Sequence, residues 1–160
     1  MKTNSSSMAR LAYANVFAND IDALSQFYAK LLGFAELPDR ASPIYRCLDA
    51  GGGFELGFNA PLAYELLGVA NRKPGIAGSV TVYLTFEVAS ASDVDAIAED
   101  SIALGGRIIK PPYDTYYNAR QTVLEDPEGN VFRINHRKGP RVPASEVESP
   151  PWTASNTSMA

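Results

Sequence analysis

One acid and one base lie on strand-like runs of this sequence in which polar or aromatic residues alternate with apolar ones. Glu55 could act as a general acid or base. Arg133 could hold an anionic or carbonyl oxygen, because a guanidinium donates several hydrogen bonds in a fixed geometry. Alternate side chains of a strand point to opposite faces. One face is therefore predicted to carry Tyr13, Asn15, Phe17, Glu55, Thr81, Tyr83, Thr85, Glu87, Val131, Arg133 and Asn135.

Aromatic side chains accompany these polar groups. Tyr13, Phe17 and Tyr83 would form an aromatic wall, and a predicted loop over 113–118 adds Tyr113, Tyr116 and Tyr117. Such a wall with a few polar groups suits a small planar or hydrophobic ligand. The alternative is that these rings fill an ordinary core.

Composition narrows the function classes. The 160 residues are 46% hydrophobic and 20% charged, as in one globular domain. Its predicted bounds are 9–137, between a flexible leader over 1–8 and a mobile tail over 138–160. The net charge of −4 argues against a nucleic-acid partner. The apolar runs are too short to span a membrane. Because Cys47 is the only cysteine, no intrachain disulfide can form, and a cytoplasmic location is expected.

A repeated phrase predicts two copies of one module. Asp20-Ile-Asp-Ala-Leu24 recurs as Asp93-Val-Asp-Ala-Ile97, each after an apolar run and before a helix-like stretch that ends at Leu-Gly. The predicted order is strand, helix and three strands in each copy, which indicates an α+β fold. Module one covers 10–60, a connector covers 61–78, and module two covers 79–136. The connector is a linker or a lid over a pocket.

Apolar spacing predicts which side chains each module buries. The second helix is expected to bury Val94, Ile97, Ala98, Ile102 and Leu104. The strands are expected to pack, among others, Phe54, Leu56, Phe58, Val82, Leu84, Phe86, Val88, Phe132 and Ile134.

Three motifs together resemble the vicinal oxygen chelate superfamily, which contains glyoxalases, bleomycin-resistance proteins and extradiol dioxygenases. They are Asn19-Asp-Ile-Asp-Ala-Leu-Ser-Gln-Phe-Tyr28 after a strand, Leu31-Leu-Gly-Phe34, and Asp126-Pro-Glu-Gly-Asn130 before the last strand. The resemblance covers 10–136. It implies two tandem βαβββ modules that form a curved mixed sheet around a central cup, with the helices outside, and a homodimer.

The resemblance also implies where a divalent metal would bind. The positions that match the family's four ligands are Tyr13, Glu55, Tyr83 and Arg133, and Glu55 alone is a usual ligand type. Arginine stays protonated and cannot ligate a metal. The one histidine, His136, has the opposite strand phase to Arg133. No metal and no other cofactor are therefore expected.

Two functions remain for the cup, in addition to a purely structural role. The first is metal-free binding or sequestration of a small aromatic or carbonyl compound by Tyr13, Asn15, Phe17, Thr85, Tyr113, Tyr116, Tyr117 and Asn135. The second is a metal-free isomerase, cyclase or lyase, in which Glu55 transfers a proton and Arg133 or Tyr83 stabilises an oxyanion. Glu55 and Arg133 are predicted at equivalent places in the two modules, where they could pair as a structural cross-link.

Overall fold

The computed structural model describes residues 11–74, 80, 82–115 and 117–140. The chain forms two compact units, and each is described by itself. Unit one contains the described residues up to 74, and unit two contains those from 80 onward. The predicted leader and the part of the predicted tail beyond residue 140 lie outside the described residues, as do Thr81 and Tyr116.

Unit one has the predicted order of strand, helix and three strands. Its elements are β1 (Tyr13–Phe17), α1 (Ile21–Leu32), β2 (Ala35–Glu36), β3 (Tyr45–Asp49), β4 (Glu55–Asn59) and the short α2 (Ala63–Leu66). The sheet order is β1-β4-β3-β2. The β1–β4 pair is parallel and the other pairs are antiparallel. One turn of 3-10 helix, Pro38–Arg40, lies between β2 and β3.

Unit two repeats this plan. Its elements are β5 (Leu84–Glu87), α3 (Ala91–Ala103), β6 (Arg107–Asp114), β7 (Ala119–Glu125) and β8 (Val131–Arg137). The sheet order is β5-β8-β7-β6, with β5 and β8 parallel. The α+β prediction of two βαβββ modules is therefore confirmed. No described helix is long and apolar enough to cross a membrane.

Helix α1 follows from its sequence. Asp20 caps it by accepting from the Ala23 N–H at 2.9 Å, and Gly33 ends it at φ 71°, a backbone conformation that favours glycine. The helix buries one apolar face: Ile21, Leu24, Phe27, Tyr28 and Leu31. Each such side chain contributes about 1.5–3 kcal/mol when fully buried. Tyr28 packs against Phe58 of the sheet, with 5.6 Å between ring centroids.

Helix α3 shows that the repeated phrase is not structurally equivalent in the two units. The N-cap of α3 is Ser90, which accepts from the Asp93 N–H at 3.1 Å. The phrase therefore starts at the cap of α1 but inside the first turn of α3. The buried residues of α3 are Val94, Ala98 and Ser101. Ile102, predicted to face the core, is 57% exposed, so that prediction is wrong.

The prediction of which strand side chains are buried is confirmed in the middle of the strands and is wrong just before the start of two strands. Leu56, Phe58, Phe132 and Ile134 are almost fully buried, as predicted. Phe54 and Val82 are 44% and 77% exposed. Both precede the first residue of their strand, where the sheet no longer fixes which way a side chain points.

Strand β6 and the chain after β8 also extend beyond their predicted bounds. Tyr113 and Asp114 belong to β6 and not to the predicted loop. Lys138, placed in the tail by the sequence, donates its N–H to Asn118 O at 3.0 Å and lies 2.7 Å from the Asp114 carboxylate. The ordered contacts of unit two thus continue into residue 138.

Candidate ligand-binding site

The predicted site residues divide between the two units. Tyr13, Asn15, Phe17 and Glu55 lie on β1 and β4 of unit one. Unit two carries Tyr83, Thr85, Tyr113, Tyr117, Arg133 and Asn135. In unit two, hydrogen bonds and a cation–π contact join Arg133 to Thr85, Tyr117 and Tyr83. In unit one, the contacts of the predicted residues are to side chains of the same unit that were not predicted. Their convergence on one cup stays a prediction.

Glu55 is held by two neighbours inside unit one. Its Oε1 lies 2.8 Å from an Arg40 guanidinium nitrogen, and its Oε2 accepts from the Cys47 Sγ at 3.5 Å. Both carboxylate oxygens therefore have partners. The expected Arg133 partner is not needed to neutralise Glu55, because Arg40 supplies the positive charge.

A second cluster lies beside Glu55 on the same face. Asn15 Oδ1 accepts from the Tyr45 hydroxyl at 3.4 Å and from the Asn59 Nδ2 at 3.5 Å. Gly57 pairs with Asn15 and Cys47 across the strands, and a Cβ at Gly57 would overlap Asn15 and Tyr45. The glycine therefore makes room for the phenol ring.

One ring of the predicted aromatic wall stacks on another ring of unit one. The Phe17 ring stacks on Tyr64, with centroids 3.7 Å apart and planes 12° apart. Tyr64 belongs to α2, in the predicted connector. One face of Phe17 is thus covered by the chain itself, whereas Tyr13 is largely exposed.

Burial raises the pKa of two groups on this face. The pKa of Tyr45 is raised well above its usual value, first by burial and then by Cys47 and Glu55. Burial also raises the pKa of the Cys47 thiol, and the hydrogen bond to Glu55 raises it further. Both groups are therefore neutral at pH 7, so the face offers a thiol and a phenol but no thiolate nucleophile.

Arg133 of unit two has only neutral partners in the part of the chain that the structure describes. Its Nε donates to Thr85 Oγ1 at 3.1 Å, and an Nη donates to the Tyr117 hydroxyl at 3.5 Å. The guanidinium carbon lies 5.3 Å from the Tyr83 ring centroid, within cation–π range. No carboxylate among the described residues forms a salt bridge with Arg133.

A buried amide joins the two described tyrosines of the predicted aromatic loop. Gln121 accepts from the Tyr117 hydroxyl and donates to the Tyr113 hydroxyl. The pKa of Tyr117 is raised by burial, although the nearby Arg133 charge partly opposes that shift. Lys110 lies over the Tyr113 ring, 3.7 Å from its centroid. These phenols are therefore oriented by hydrogen bonds and are not loosely packed.

Asn135 lies two residues after Arg133 on β8, on the same face of the unit-two sheet. Its Nδ2 donates to Glu87 Oε2 at 2.6 Å, and Glu87 Oε1 accepts from the Arg137 backbone N–H at 2.6 Å. Asn135 is 8% exposed, and its Oδ1 is buried with no hydrogen-bond partner among the described residues. A buried acceptor without a donor is costly.

The two charged candidates do not occupy equivalent places. The Ala18 N–H donates to Asn59 O at 2.9 Å, and the Val88 N–H donates to Asn135 O at 2.9 Å. These bonds make Asn59 the counterpart of Asn135. The counterpart of Arg133 is then Gly57, while Glu55 corresponds to Val131. The prediction of equivalent places is wrong because the sequence motifs do not fix the register between parallel strands.

A cleft of roughly 530 Å³ lies elsewhere in unit one. It is lined mainly by the segment from Glu36 to Leu48 and by Ser25 of α1. Its one guanidinium, Arg46, is bound to Asp22 at 2.6 Å and to the Tyr45 carbonyl at 2.9 Å. Since the predicted site residues do not line it and its cation is engaged, the two strand faces are the better candidate.

The side chains at the four family ligand positions fit a divalent metal poorly. Glu55 is the one carboxylate among them, and Arg40 and Cys47 already engage it. Arg133 would repel a cation. The described residues contain no group of three or more His, Cys, Asp or Glu side chains that could hold a metal ion.

Sequence reasoning missed several residues of these faces, including Arg40, Tyr45, Cys47, Gln121 and the role of Glu87 in orienting Asn135. The sequence contained enough information to predict three of them. Tyr45 and Cys47 alternate along β3, and Gln121 lies on β7 opposite Asn135, so the same strand-phase argument could have found them. Arg40 lies in a turn, where no periodicity applies.

Comparison with known families agrees with the fold and with the sequence motifs. The model of the Glyoxalase/Bleomycin resistance protein/Dioxygenase superfamily matches residues 10–134. The chain belongs to this superfamily. No curated protein matches it.

Solved structures agree as well. A glyoxalase/bleomycin resistance protein/dioxygenase family enzyme from Burkholderia phytofirmans PsJN is 44% identical, with a TM-score of 0.76, over 81% of this chain and 99% of that chain. A glyoxalase-related enzyme from Fulvimarina pelagi is 21% identical, with a TM-score of 0.69, over 86% and 99% of the two chains. The second likeness concerns the fold alone.

Proposed function

We propose that this protein binds a small molecule with a planar or aromatic body and an anionic or carbonyl oxygen, and that it does so without a metal ion. Arg133 would hold the oxygen, and Tyr83, Tyr113 and Tyr117 would contact the planar part. We include a homodimer and a cytoplasmic location in this proposal, as the family resemblance and the single cysteine suggest.

The observation that carries the proposal is the set of neutral partners around Arg133. Taking a guanidinium partly out of water costs free energy unless an anion or several acceptors compensate. Thr85, Tyr117 and the Tyr83 ring compensate only in part. A ligand carboxylate or carbonyl would supply the missing charge-assisted bond, which contributes about 1.5–3 kcal/mol.

Calorimetric titration with benzoate and with its neutral analogue benzyl alcohol tests this function. We expect benzoate to bind more tightly, and Arg133→Met to weaken benzoate binding by about 10- to 100-fold. Arg72→Met removes an exposed guanidinium of unit one and is the matched control. Equal benzoate affinity of the wild-type protein and Arg133→Met would contradict the proposal.

Metal independence needs a separate measurement. Elemental analysis of the purified protein should find no stoichiometric Zn, Ni, Fe or Mn, and benzoate affinity should be the same before and after dialysis against a chelator. A stoichiometric metal whose removal abolishes binding would show that the side chains at the four family positions were interpreted wrongly.

Catalysis is a second candidate, because the 44% identical structure is described as a family enzyme. Glu55 would transfer a proton in an isomerisation, cyclisation or lyase step, and Arg133 or Tyr83 would stabilise the oxyanion. The Arg40 pair argues against a free base at Glu55. Product analysis with carbonyl substrates would decide, since turnover lost in Glu55→Gln with binding unchanged would favour the enzyme.

A further inference from the structure

The orientation of the Asn135 amide is fixed by its neighbour Glu87. A carboxylate can only accept hydrogen bonds, so the side of the amide that faces Glu87 must be the NH₂ group. Glu87 Oε1 already accepts from the Arg137 backbone N–H, and Oε2 accepts from Asn135 Nδ2. Oδ1 of Asn135 is therefore the atom that remains, and it is an acceptor.

The neighbouring amide does not satisfy this acceptor. Gln121 is the register partner of Asn135 on β7, and it is also buried. Its two polar atoms bond to the Tyr113 and Tyr117 hydroxyls. Two buried amides thus lie side by side, one engaged by the protein at both ends and the other, Asn135, with a buried oxygen that has no partner among the described residues.

We propose that Asn135 Oδ1 accepts a hydrogen bond from a hydroxyl or N–H group of the ligand whose anionic oxygen Arg133 holds, and that Glu87 sets this preference as a positioning residue. The inference rests on the proposed function. Arg133 and Asn135 are two residues apart on β8, so their side chains share a face about 7 Å apart at the backbone. Aromatic acids with a hydroxyl or amide N–H across the ring have this separation of groups. Because Oδ1 is covered, a side chain near it must move aside when the ligand binds.

Matched ligands test the preference in the wild-type protein. Meta- and para-hydroxybenzoate are compared with their methoxy analogues, which keep the carboxylate and the ring but lack the donor. We expect the better hydroxybenzoate to bind about tenfold or more tightly than its methoxy analogue, the size expected when one buried acceptor gains or lacks a donor.

Glu87→Gln separates orientation from simple packing. The new side chain must keep an oxygen toward the Arg137 N–H, so its NH₂ group turns toward Asn135. The Asn135 amide then has to rotate, which satisfies Oδ1 and turns its own NH₂ group toward the ligand. We expect the hydroxyl preference to be lost, because a hydroxyl oxygen and a methoxy oxygen can both accept from this NH₂ group. Glu125→Gln, which changes a carboxylate paired with Arg107, is the control and should keep the wild-type order.

The outcomes distinguish the inference from the proposed function. If no aromatic acid binds, both fail. If hydroxy and methoxy compounds bind equally, only the inference fails, because Arg133 can still hold the carboxylate that both compounds carry. An unchanged order of affinities in Glu87→Gln would also overturn the role of Glu87. Should that variant not fold, Asn135→Leu removes Oδ1 and should equalise the two ligands, and a retained hydroxyl preference would overturn the inference.

Discussion

The two units have the same order of strands, and in each the residue after the first strand donates its backbone N–H to the last strand of the unit. They differ in how the charged and polar side chains on the sheet are paired. In unit one, Arg40 neutralises Glu55, and Tyr45 and Asn59 both donate to Asn15 Oδ1. In unit two, the described partners of Arg133 are neutral, and Asn135 Oδ1 has no partner in the part of the chain that the structure describes. The named polar groups of unit one thus have partners within the unit, whereas those of unit two leave a cation and an acceptor unmatched among the described residues. A duplicated fold therefore does not require duplicated chemistry.

The turns between β3 and β4 and between β7 and β8 also differ. Unit one turns between β3 and β4 through Gly51, Gly52 and Gly53, all at positive φ. Unit two turns through Asp126, whose buried carboxylate accepts from the backbone N–H groups of Glu128 at 2.9 Å and Asn130 at 3.0 Å. The first turn has three glycines at positive φ and an exposed Asp49 acceptor, whereas the second has one such glycine, Gly129, and a buried Asp126 acceptor.

The largest effect is expected for Asp126→Ala. The substitution leaves backbone donors without their acceptor in a part-buried turn, so the free energy of unfolding should fall by about 2–4 kcal/mol. Urea denaturation followed by circular dichroism measures it. Asp49→Ala is the matched control, because Asp49 accepts from the Gly51 N–H at 2.8 Å in the exposed turn. Similar losses in the two variants would show that the turns do not differ as described.

The sequence was sufficient for the order of elements in the modules, the end of α1 and the strand interiors. Gly33 and the alternation around Leu56 and Phe132 are local signals, and local signals fix helix ends and strand faces. It was not sufficient for register or for partners distant in sequence. Arg40 reaches Glu55 from a turn, and only the pairing of β5 with β8 shows that Arg133 lies beside Thr85. These facts depend on the three-dimensional approach of segments that no spacing rule connects.

A smaller effect is expected at the counterpart positions Gly57 and Arg133. In Gly57→Ala the new Cβ would lie 2.7 Å from Tyr45 Cε2 and would overlap Asn15, so overpacking should cost about 1–3 kcal/mol. Arg133→Ala removes a part-exposed side chain and should cost less than about 1 kcal/mol. Thermal denaturation compares them.

A second substitution checks the cause in unit one. Adding Tyr45→Phe to Gly57→Ala removes the hydroxyl that the new Cβ would meet, and it should restore part of the lost stability. Equal stability of Gly57→Ala and the wild-type protein would mean that Tyr45 has another place to lie, and the close packing of the unit-one face would then be refuted.

The smallest effect concerns the phenols of the two faces in alkaline solution. The pKa of Tyr45 and that of Tyr117 are both raised by burial, but Arg133 opposes the shift only at Tyr117. A phenol with a raised pKa favours the folded state while it is protonated. This contribution is complete below the usual tyrosine pKa of about 10 and is lost as the pH rises through the folded-state pKa. Ultraviolet difference titration should therefore show late-ionising phenols, with Tyr117 ionising before Tyr45.

Single substitutions assign these steps and test the charge balance directly. Tyr45→Phe should remove the latest step and Tyr117→Phe an earlier one. Arg133→Met should delay the Tyr117 step, because it removes a nearby positive charge that favours the phenolate, and should leave the Tyr45 step in place. If Arg133→Met leaves the Tyr117 step where it was, then solvent or another group screens the guanidinium, and Arg133 is not the uncompensated cation that distinguishes unit two from unit one.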